Sequence, residues 1–278
     1  MEDAHHHLIL LDRMEVPDRL SIEVGGGQVV AFTGRAPDKD SENEDAVAII
    51  PYGPDAAVLV VADGAGGMPA GRRASRTAVA ALDLSLQLAA SQTMLLRTAI
   101  LDGIESANVA VLELANGSAT TMTVVTIEGR IARTYQIGDS EALITGQRGA
   151  IRAQTMAHSP TGFAVEAGFL GEREALHHKE RHLVSNFIGT ADMRIDIGAT
   201  VELRPKDTVL VASDGLTDNI HLHEITDLVR SGPLAQALDA IIKLATHRMT
   251  AEPSRQPSKP DDLSIILFRK AIQPKQTQ

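Results

Sequence analysis

The chain has 278 residues, of which 44% are apolar and 22% charged, enough apolar material to offset the entropy of ordering the backbone and to exclude disorder over most of its length. Acidic residues outnumber basic ones by 36 to 26, and the net charge of −10 repels polyphosphate, so nucleic acid is not an expected partner. Cysteine is absent, which removes disulfides, thiolate nucleophiles, iron–sulfur clusters and cysteine-ligated zinc together.

With 5 Phe, 2 Tyr and no Trp, the core is expected to be aliphatic. Residues 1–18 are weakly patterned and read as an N-terminal extension, with no basic segment ahead of Leu8 to Leu11 of the kind a secretion signal needs. The run Gly25-Gly26-Gly27 marks a turn, and residues 28–33 a strand. Two further strands are expected at 45–50 and at Ala56–Ala62, around the Pro51-Tyr52-Gly53-Pro54 turn. The second of these is the longest purely apolar run and falls far short of the roughly 20 residues of a spanning helix, so the reading is cytoplasmic with no membrane partner. The period then changes: Val79, Leu82 and Leu86 predict a helix over 71–90. A second helix over 92–115 carries Ile100, Ile104, Ala107, Val111 and Leu114 on one face, with Asn116-Gly117 as its C-cap.

Strands follow at 121–127 and Ile131–Ile137 around a Glu128-Gly129-Arg130 turn, then at 142–145 and 150–154. Residues 158–190 show no clean period and read as a long surface excursion. A buried strand at Thr208–Ala212, helices at 221–230 and 234–249, a proline-rich loop at 251–260, a strand at 263–268 and a polar tail at 271–278 complete the chain. No internal repeat or linker divides it, and the order of elements predicts one α+β domain over 19–270.

Aspartates recur where apolar strands end or begin. Val58-Leu59-Val60-Val61-Ala62 delivers Asp63-Gly64, Val209-Leu210-Val211-Ala212 delivers Ser213-Asp214-Gly215, and Ile137 delivers Gly138-Asp139-Ser140. Glu44-Asp45 and Asp261-Asp262 precede strands. A single strand–Asp–Gly is ordinarily a turn capping its own backbone. Five in one chain raise the question of convergence. Two carboxylates ~4 Å apart repel by about 1 kcal/mol in water and about 4 kcal/mol at an effective dielectric of 20, so a cluster would shift its pKa values upward or recruit divalent cations. All-oxygen ligation selects hard ions such as Mg²⁺ or Mn²⁺, and a pair of them can activate water and neutralise a phosphoryl group.

The series Glu44-Asp45, Asp63-Gly64-x-Gly66-Gly67, Thr120-Thr121, Gly138-Asp139-Ser140, Ser213-Asp214-Gly215-Leu216 and Asp261-Asp262-Leu263-Ser264 resembles, in order and spacing, the protein phosphatase 2C family of metal-dependent phosphoserine and phosphothreonine phosphatases. The resemblance spans residues 29–268. It implies an α/β/β/α sandwich: two packed antiparallel β-sheets flanked by helix pairs, with 158–190 as a flap beside the catalytic channel. It implies that Asp63 bridges two divalent metal ions, Mn²⁺ or Mg²⁺, that the Gly64 carbonyl joins one of them, and that Asp214 and Asp261 hold the other. Asp45 would hold metal-bound water with Glu44 supporting that shell, and Asp139 would share a third, weaker metal with Asp214. Metal-bridged water would then attack phosphorus directly, on a phosphorylated protein whose modification a serine/threonine kinase installs.

The chain departs from the family pattern at Asp40, where many members carry a phosphate-binding Arg, at Ala65, where some carry His, and at Glu141, where Arg is common. Arg35, Lys39, Arg72 and Arg73 are the replacement candidates for phosphate binding. Asp40 and Ala65 also motivate the alternative of a non-catalytic, phosphoprotein-binding regulatory module; a small-molecule phosphatase is a third reading. Other features are better explained as structure. The histidines at 177, 178 and 182 lack a further ligand at helical spacing, and His5 to His7 read as a solvated terminus. His158, Ser159, Thr120 and Thr121 are expected to satisfy buried polar groups. Neither a Gly-x-Ser-x-Gly nucleophile elbow nor a Gly-x-x-x-x-Gly-Lys-Ser/Thr phosphate loop occurs.

Overall fold

Strand segments such as Ala56–Ala62 are apolar at every position, which a strand tolerates only when both of its faces are covered. The computed structural model describes residues 9–11, 18–65, 70–251 and 256–271 and shows what covers them. In chain order the elements are β1 (Ile9–Leu11), β2 (Asp18–Val24), β3 (Gly27–Gly34), β4 (Ala46–Pro51), β5 (Ala56–Ala62), β6 (Gly64–Ala65), α1 (Ala70–Ser91) and α2 (Leu96–Leu112). Then come β7 (Ala119–Thr120), β8 (Met122–Glu128), β9 (Ile131–Ile137), β10 (Glu141–Thr145), β11 (Ile151–Gln154), α3 (Pro160–Glu166), α4 (Glu172–Ala175), β12 (Asp196–Ile197) and β13 (Val201–Glu202). The chain continues through β14 (Thr208–Ala212), α5 (Asp214–Thr217), α6 (Leu222–Val229), α7 (Leu234–Thr250) and β15 (Leu263–Lys270).

One antiparallel sheet runs β1-β4-β5-β8-β9-β12, with β13 also on β9; the other runs β11-β10-β14-β15-β3-β2. Alternation along each strand sorts side chains between two interfaces. In β5, Val58, Val60 and Ala62 face α1 and α2, whereas Leu59 and Val61 face Val209, Val211, Ile266 and Phe268 of the opposite sheet. The outer face of the second sheet packs Leu210, Ile265 and Leu267 against Ile225 of α6 and Leu238, Ile241 and Ala245 of α7. The result is the α+β architecture expected, helices–sheet–sheet–helices, with an aliphatic core. No helix among the described residues is long and apolar enough to cross a membrane.

Several boundaries differ from the sequence reading. The second helix is shorter at both ends because Thr93 and Ala115 take positive φ (53° and 51°), which an α-helix does not accommodate, and Glu113 rather than Asn116-Gly117 caps it. Residues 9–11, within the stretch read as an extension, pair with β4. Strand β2 was not expected, although Leu20, Ile22 and Val24 alternate with polar residues and turn toward the inter-sheet core. The 158–190 excursion contains α3, N-capped by Ser159, whose Oγ accepts from the Gly162 N–H at 2.9 Å, and the single turn α4. His5 to His7, Gly66, Gly67 and the tail from residue 272 lie outside the described residues.

The two helices over the first sheet pack tightly at Gly103, where an added Cβ would stand 2.6 Å from Leu82 Cδ1. Leu82 itself is fully buried. Leu82→Ala leaves a cavity between α1, α2 and the sheet, and is expected to lower the free energy of unfolding by about 2–5 kcal/mol in urea titrations, with the m-value unchanged.

Candidate active site

Sheet ends bring the acids together, and neighbouring polar residues hold the backbone that carries them. Asp63 follows β5 directly, and its peptide groups are clamped by the two threonines. Its N–H donates to Thr121 Oγ1 at 3.0 Å, while its carbonyl accepts from Thr121 N–H and from Thr120 Oγ1, both at 2.8 Å. Thr121 also meets Ser140 Oγ at 2.8 Å, which joins the Gly138-Asp139-Ser140 corner to the same point. Gly138 has φ +99°, and a Cβ there would lie 2.5 Å from Thr121 Cγ2, so only glycine lets this corner close.

The second sheet supplies the rest. Pairing of Ala212 with Ile265 sets Ser213 opposite Ser264, where Ser213 N–H donates to the Ser264 carbonyl and Ser264 N–H to Ser213 Oγ, both at 3.0 Å. Asp214 therefore leaves the end of β14 beside Asp261, at the start of β15. Across Ser264 the chain of hydroxyls reaches Thr33 Oγ1 at 2.9 Å and then Asn43 Nδ2 at 2.7 Å, and Asn43 Oδ1 accepts from the Asp45 N–H at 3.0 Å. This buried line fixes Asp45, which is 1% exposed. Gly64 and Gly71 pack backbone to backbone: a Cβ on Gly64 would stand 2.3 Å from the Gly71 carbonyl, and one on Gly71 2.6 Å from both Gly64 O and Glu44 Oε1. Those contacts put Glu44 and the Gly64 carbonyl in the same corner.

The electrostatics report the convergence. Burial and then Asp45, Asp214, Asp261 and Asp139 all push the Asp63 pKa up. Burial and then Asp262 and Asp261 raise Asp45, whose upward shift the Ser264 and Ser213 hydroxyls offset in part without completing a hydrogen bond to either oxygen. Asp139 is raised by burial, Asp214 and Asp218, and Asp261 by burial and Asp214, with Lys259 opposing both shifts. Burial pushes Glu141 up to about 7, against a hydrogen bond from Gln154. Both oxygens of Asp45, Oε1 of Glu44 and Oδ1 of Asp214 are buried without a hydrogen-bond partner. Orphaned, mutually repelling carboxylate oxygens are the donor set that suits hard divalent cations. Among the described residues, however, no three Asp, Glu or His side chains close into a ready chelate. The Lys259 ammonium stands among the acids of the second sheet, 2.5 Å from Asp214 and 3.1 Å from Asp261.

Neighbouring acids 261 and 262 have different tasks. Asp262 is spent on structure: its oxygens accept from the Ala36 and Glu44 N–H groups, both at 2.8 Å, and from Lys39 Nζ at 2.7 Å. Lys39 also pairs with Glu44 at 3.0 Å, so its charge is already matched. Arg72 donates to Glu42 at 2.7 Å and keeps a buried Nε without a partner, whereas Arg35, Arg73 and Asp40 are exposed. His158 is structural, as expected: it is buried, with Nδ1 at 2.8 Å from Asn186 and Nε2 at 3.0 Å from Asp196. His177, His178 and His182 are exposed and outside any helix. Two residues escaped the sequence reading. Lys259 belongs to no motif, and Asp218 could have been found only from its position one helical turn after Asp214.

A cleft of about 340 Å³ opens from Asp139 and Asp214 toward the 158–190 excursion and α6, with Glu141, Arg173, Leu176 and His221 on its walls.

The family model of protein phosphatase 2C matches residues 35–253. Protein phosphatase PhpP of Streptococcus pneumoniae is 32% identical over 199 residues, which cover 68% of this chain and 80% of that protein. The serine/threonine phosphatase of S. agalactiae superimposes with a TM-score of 0.75 at 26% identity, over 88% of this chain and 100% of the other. The catalytic domain of the serine/threonine protein phosphatase PstP, solved in complex with 2 manganese ions, shares the fold with a TM-score of 0.67 at 21% identity, over 95% and 99% of the two chains. The chain belongs to the protein phosphatase 2C family, and is an enzyme of the protein serine/threonine phosphatase class.

Two outcomes test this geometry. A carboxylate whose pKa is raised by folding takes up more protons in the folded than in the unfolded state, so stability falls as pH rises through the interval between the two values. The metal-free protein is therefore expected to melt higher as pH is lowered from about 7 toward 5, and Asp63→Asn should flatten that dependence; a slope unchanged in the variant would contradict convergence. Asp262→Ala strips two backbone N–H groups and Lys39 of their acceptor, and should cost about 3 kcal/mol or more in equilibrium unfolding.

Proposed function

We propose that the protein removes phosphate from phosphoserine and phosphothreonine in proteins in a divalent-metal-dependent reaction, and so opposes a serine/threonine kinase. The observation that carries the reading is Asp45: both of its oxygens are buried and unpartnered beside acids that repel it, a cost that bound cations remove. PstP, alike in fold, holds two manganese ions, and Mn²⁺ or Mg²⁺ is the class of ion this oxygen set suits.

In this reading Asp45 and Asp63, with the Gly64 carbonyl, hold one side of the centre, and Asp214 and Asp261 the other. Asp139 with Asp214 borders a third, weaker position. When bound, a pair of such ions supplies Lewis-acid stabilisation of the phosphoryl oxygens and lowers the pKa of water. The chain's own part is positional. The Thr120 and Thr121 clamp fixes the backbone of Asp63, the Asn43–Thr33–Ser264–Ser213 line fixes Asp45, and the apolar strand ends behind both keep the far side dry. Of the four candidate cations for substrate phosphate, Arg72 fits best, because its Nε is unpartnered and it follows Gly71, which touches Gly64 and Glu44. A phosphorylated segment would run along the cleft between the 158–190 excursion and α6.

Hydrolysis of a phosphothreonine peptide in Mn²⁺ is expected to vanish on addition of EDTA and to fall by at least about 100-fold in Asp63→Asn and Asp45→Asn. Arg72→Ala should raise KM more than it lowers kcat. Turnover that survives both EDTA and Asp63→Asn would refute the mechanism, and Mn²⁺ uptake with no turnover on any phosphopeptide would instead identify a binding module.

A further inference from the structure

Lys259 is held in place at both its backbone and its side chain. Its N–H donates to Asn219 Oδ1 at 2.7 Å and its carbonyl accepts from Asn219 Nδ2 at 2.8 Å, which fastens the loop before β15 to the end of α5. Its ammonium lies 2.5 Å from Asp214, 2.9 Å from Asp218 and 3.1 Å from Asp261, with the side chain only 22% exposed. Three carboxylates around one ammonium make a cage that already contains its cation. Two of those carboxylates, Asp214 and Asp261, are ones the proposed mechanism gives to a divalent ion. Nζ is seated on Asp214 Oδ2 and Asp261 Oδ2, so a divalent ion that takes those oxygens must displace it or bind beside it against the repulsion between the two cations. On the opposite side Asp45, 1% exposed, keeps both oxygens free of hydrogen bonds. The centre is therefore lopsided: Asp45 has no cation of its own, since Lys39 is held by Glu44 and Asp262, whereas the other side carries one on a tether.

We propose that Lys259 is a built-in competitor for the metal, standing in for a divalent ion at the Asp214–Asp261 side and making that the weaker of the two positions. The inference rests on the metal-dependent reading above. It makes loading of the second position, and with it activity, depend on displacing Nζ, so the protein is graded by free Mn²⁺ or Mg²⁺ concentration rather than saturated at trace levels.

The test is calorimetric titration of Mn²⁺ into the metal-free full chain, comparing the unmodified protein with Lys259→Met, Lys259→Arg and Asp45→Asn. Lys259→Met should tighten the weaker binding step by at least about tenfold, or reveal a step the parent lacks, while Lys259→Arg, which keeps the charge, should titrate like the parent. Superimposable isotherms for the parent and Lys259→Met overturn the inference and leave the metal reading standing, provided Asp45→Asn still abolishes the tighter step. If neither the parent nor Lys259→Met takes up Mn²⁺, both fall. Removing the ammonium leaves three acids without counter-charge, so the same comparison is made by thermal melting, with Lys259→Gln as a second variant. Mn²⁺ should raise the melting temperature more in both variants than in the parent, since a ligand stabilises in proportion to its affinity for the folded state. Equal shifts in all three overturn the proposal.

Discussion

Repulsion between carboxylates is the constraint around which the rest of the molecule is arranged. Asp45, Asp63, Asp139, Asp214 and Asp261 each push a neighbour's pKa upward or are pushed in turn. At ~4 Å a pair costs about 4 kcal/mol at an effective dielectric of 20, comparable to a large part of a domain's net stability. Flexible loops would relax by swinging the acids apart. Here each acid sits within a residue or two of a strand that is buried on both faces, and hydrogen bonds from Thr120, Thr121, Ser213, Ser264 and Asn43 hold the connecting peptides. The four-layer sandwich is stiff because its strands are locked from both sides, and that stiffness keeps like charges close.

Counter-charge is distributed unevenly around this cluster. Lys39 neutralises Glu44 and Asp262 at one edge, and Lys259 neutralises Asp214, Asp218 and Asp261 at another. Asp45, between them in the fold, has buried oxygens without hydrogen bonds. A protein selected for stability alone would pair or remove such a group, since an unpartnered buried charge is among the costlier features a fold can carry. Its retention is the physical basis for reading the corner as a site that awaits cations. The adjacent Asp261 and Asp262 show how finely the arrangement divides labour: one faces the cluster, and the other ties the 36–44 loop to the last strand through two backbone N–H groups.

The sequence alone determined the layers, the aliphatic core and the candidate acids. Apolar runs such as Ala56–Ala62, ending in Asp-Gly, are local patterns, and their order along the chain was enough to identify the family. It missed elements whose signal is short or weak: β1, β12 and β13 have two or three residues each, and β2 shows an alternation that is half-buried rather than strong. It also overextended α2, whose ends depend on the unusual φ of Thr93 and Ala115 rather than on apolar spacing. Only the tertiary structure decided that Asp262 is spent on the Ala36 and Glu44 N–H groups, that Lys39 is already neutralised, and that Lys259 enters the site from 45 residues beyond Asp214. The physical reason is range: periodicity and turn chemistry act over a few residues, whereas charge pairing acts across space between segments that meet only when the two sheets stack.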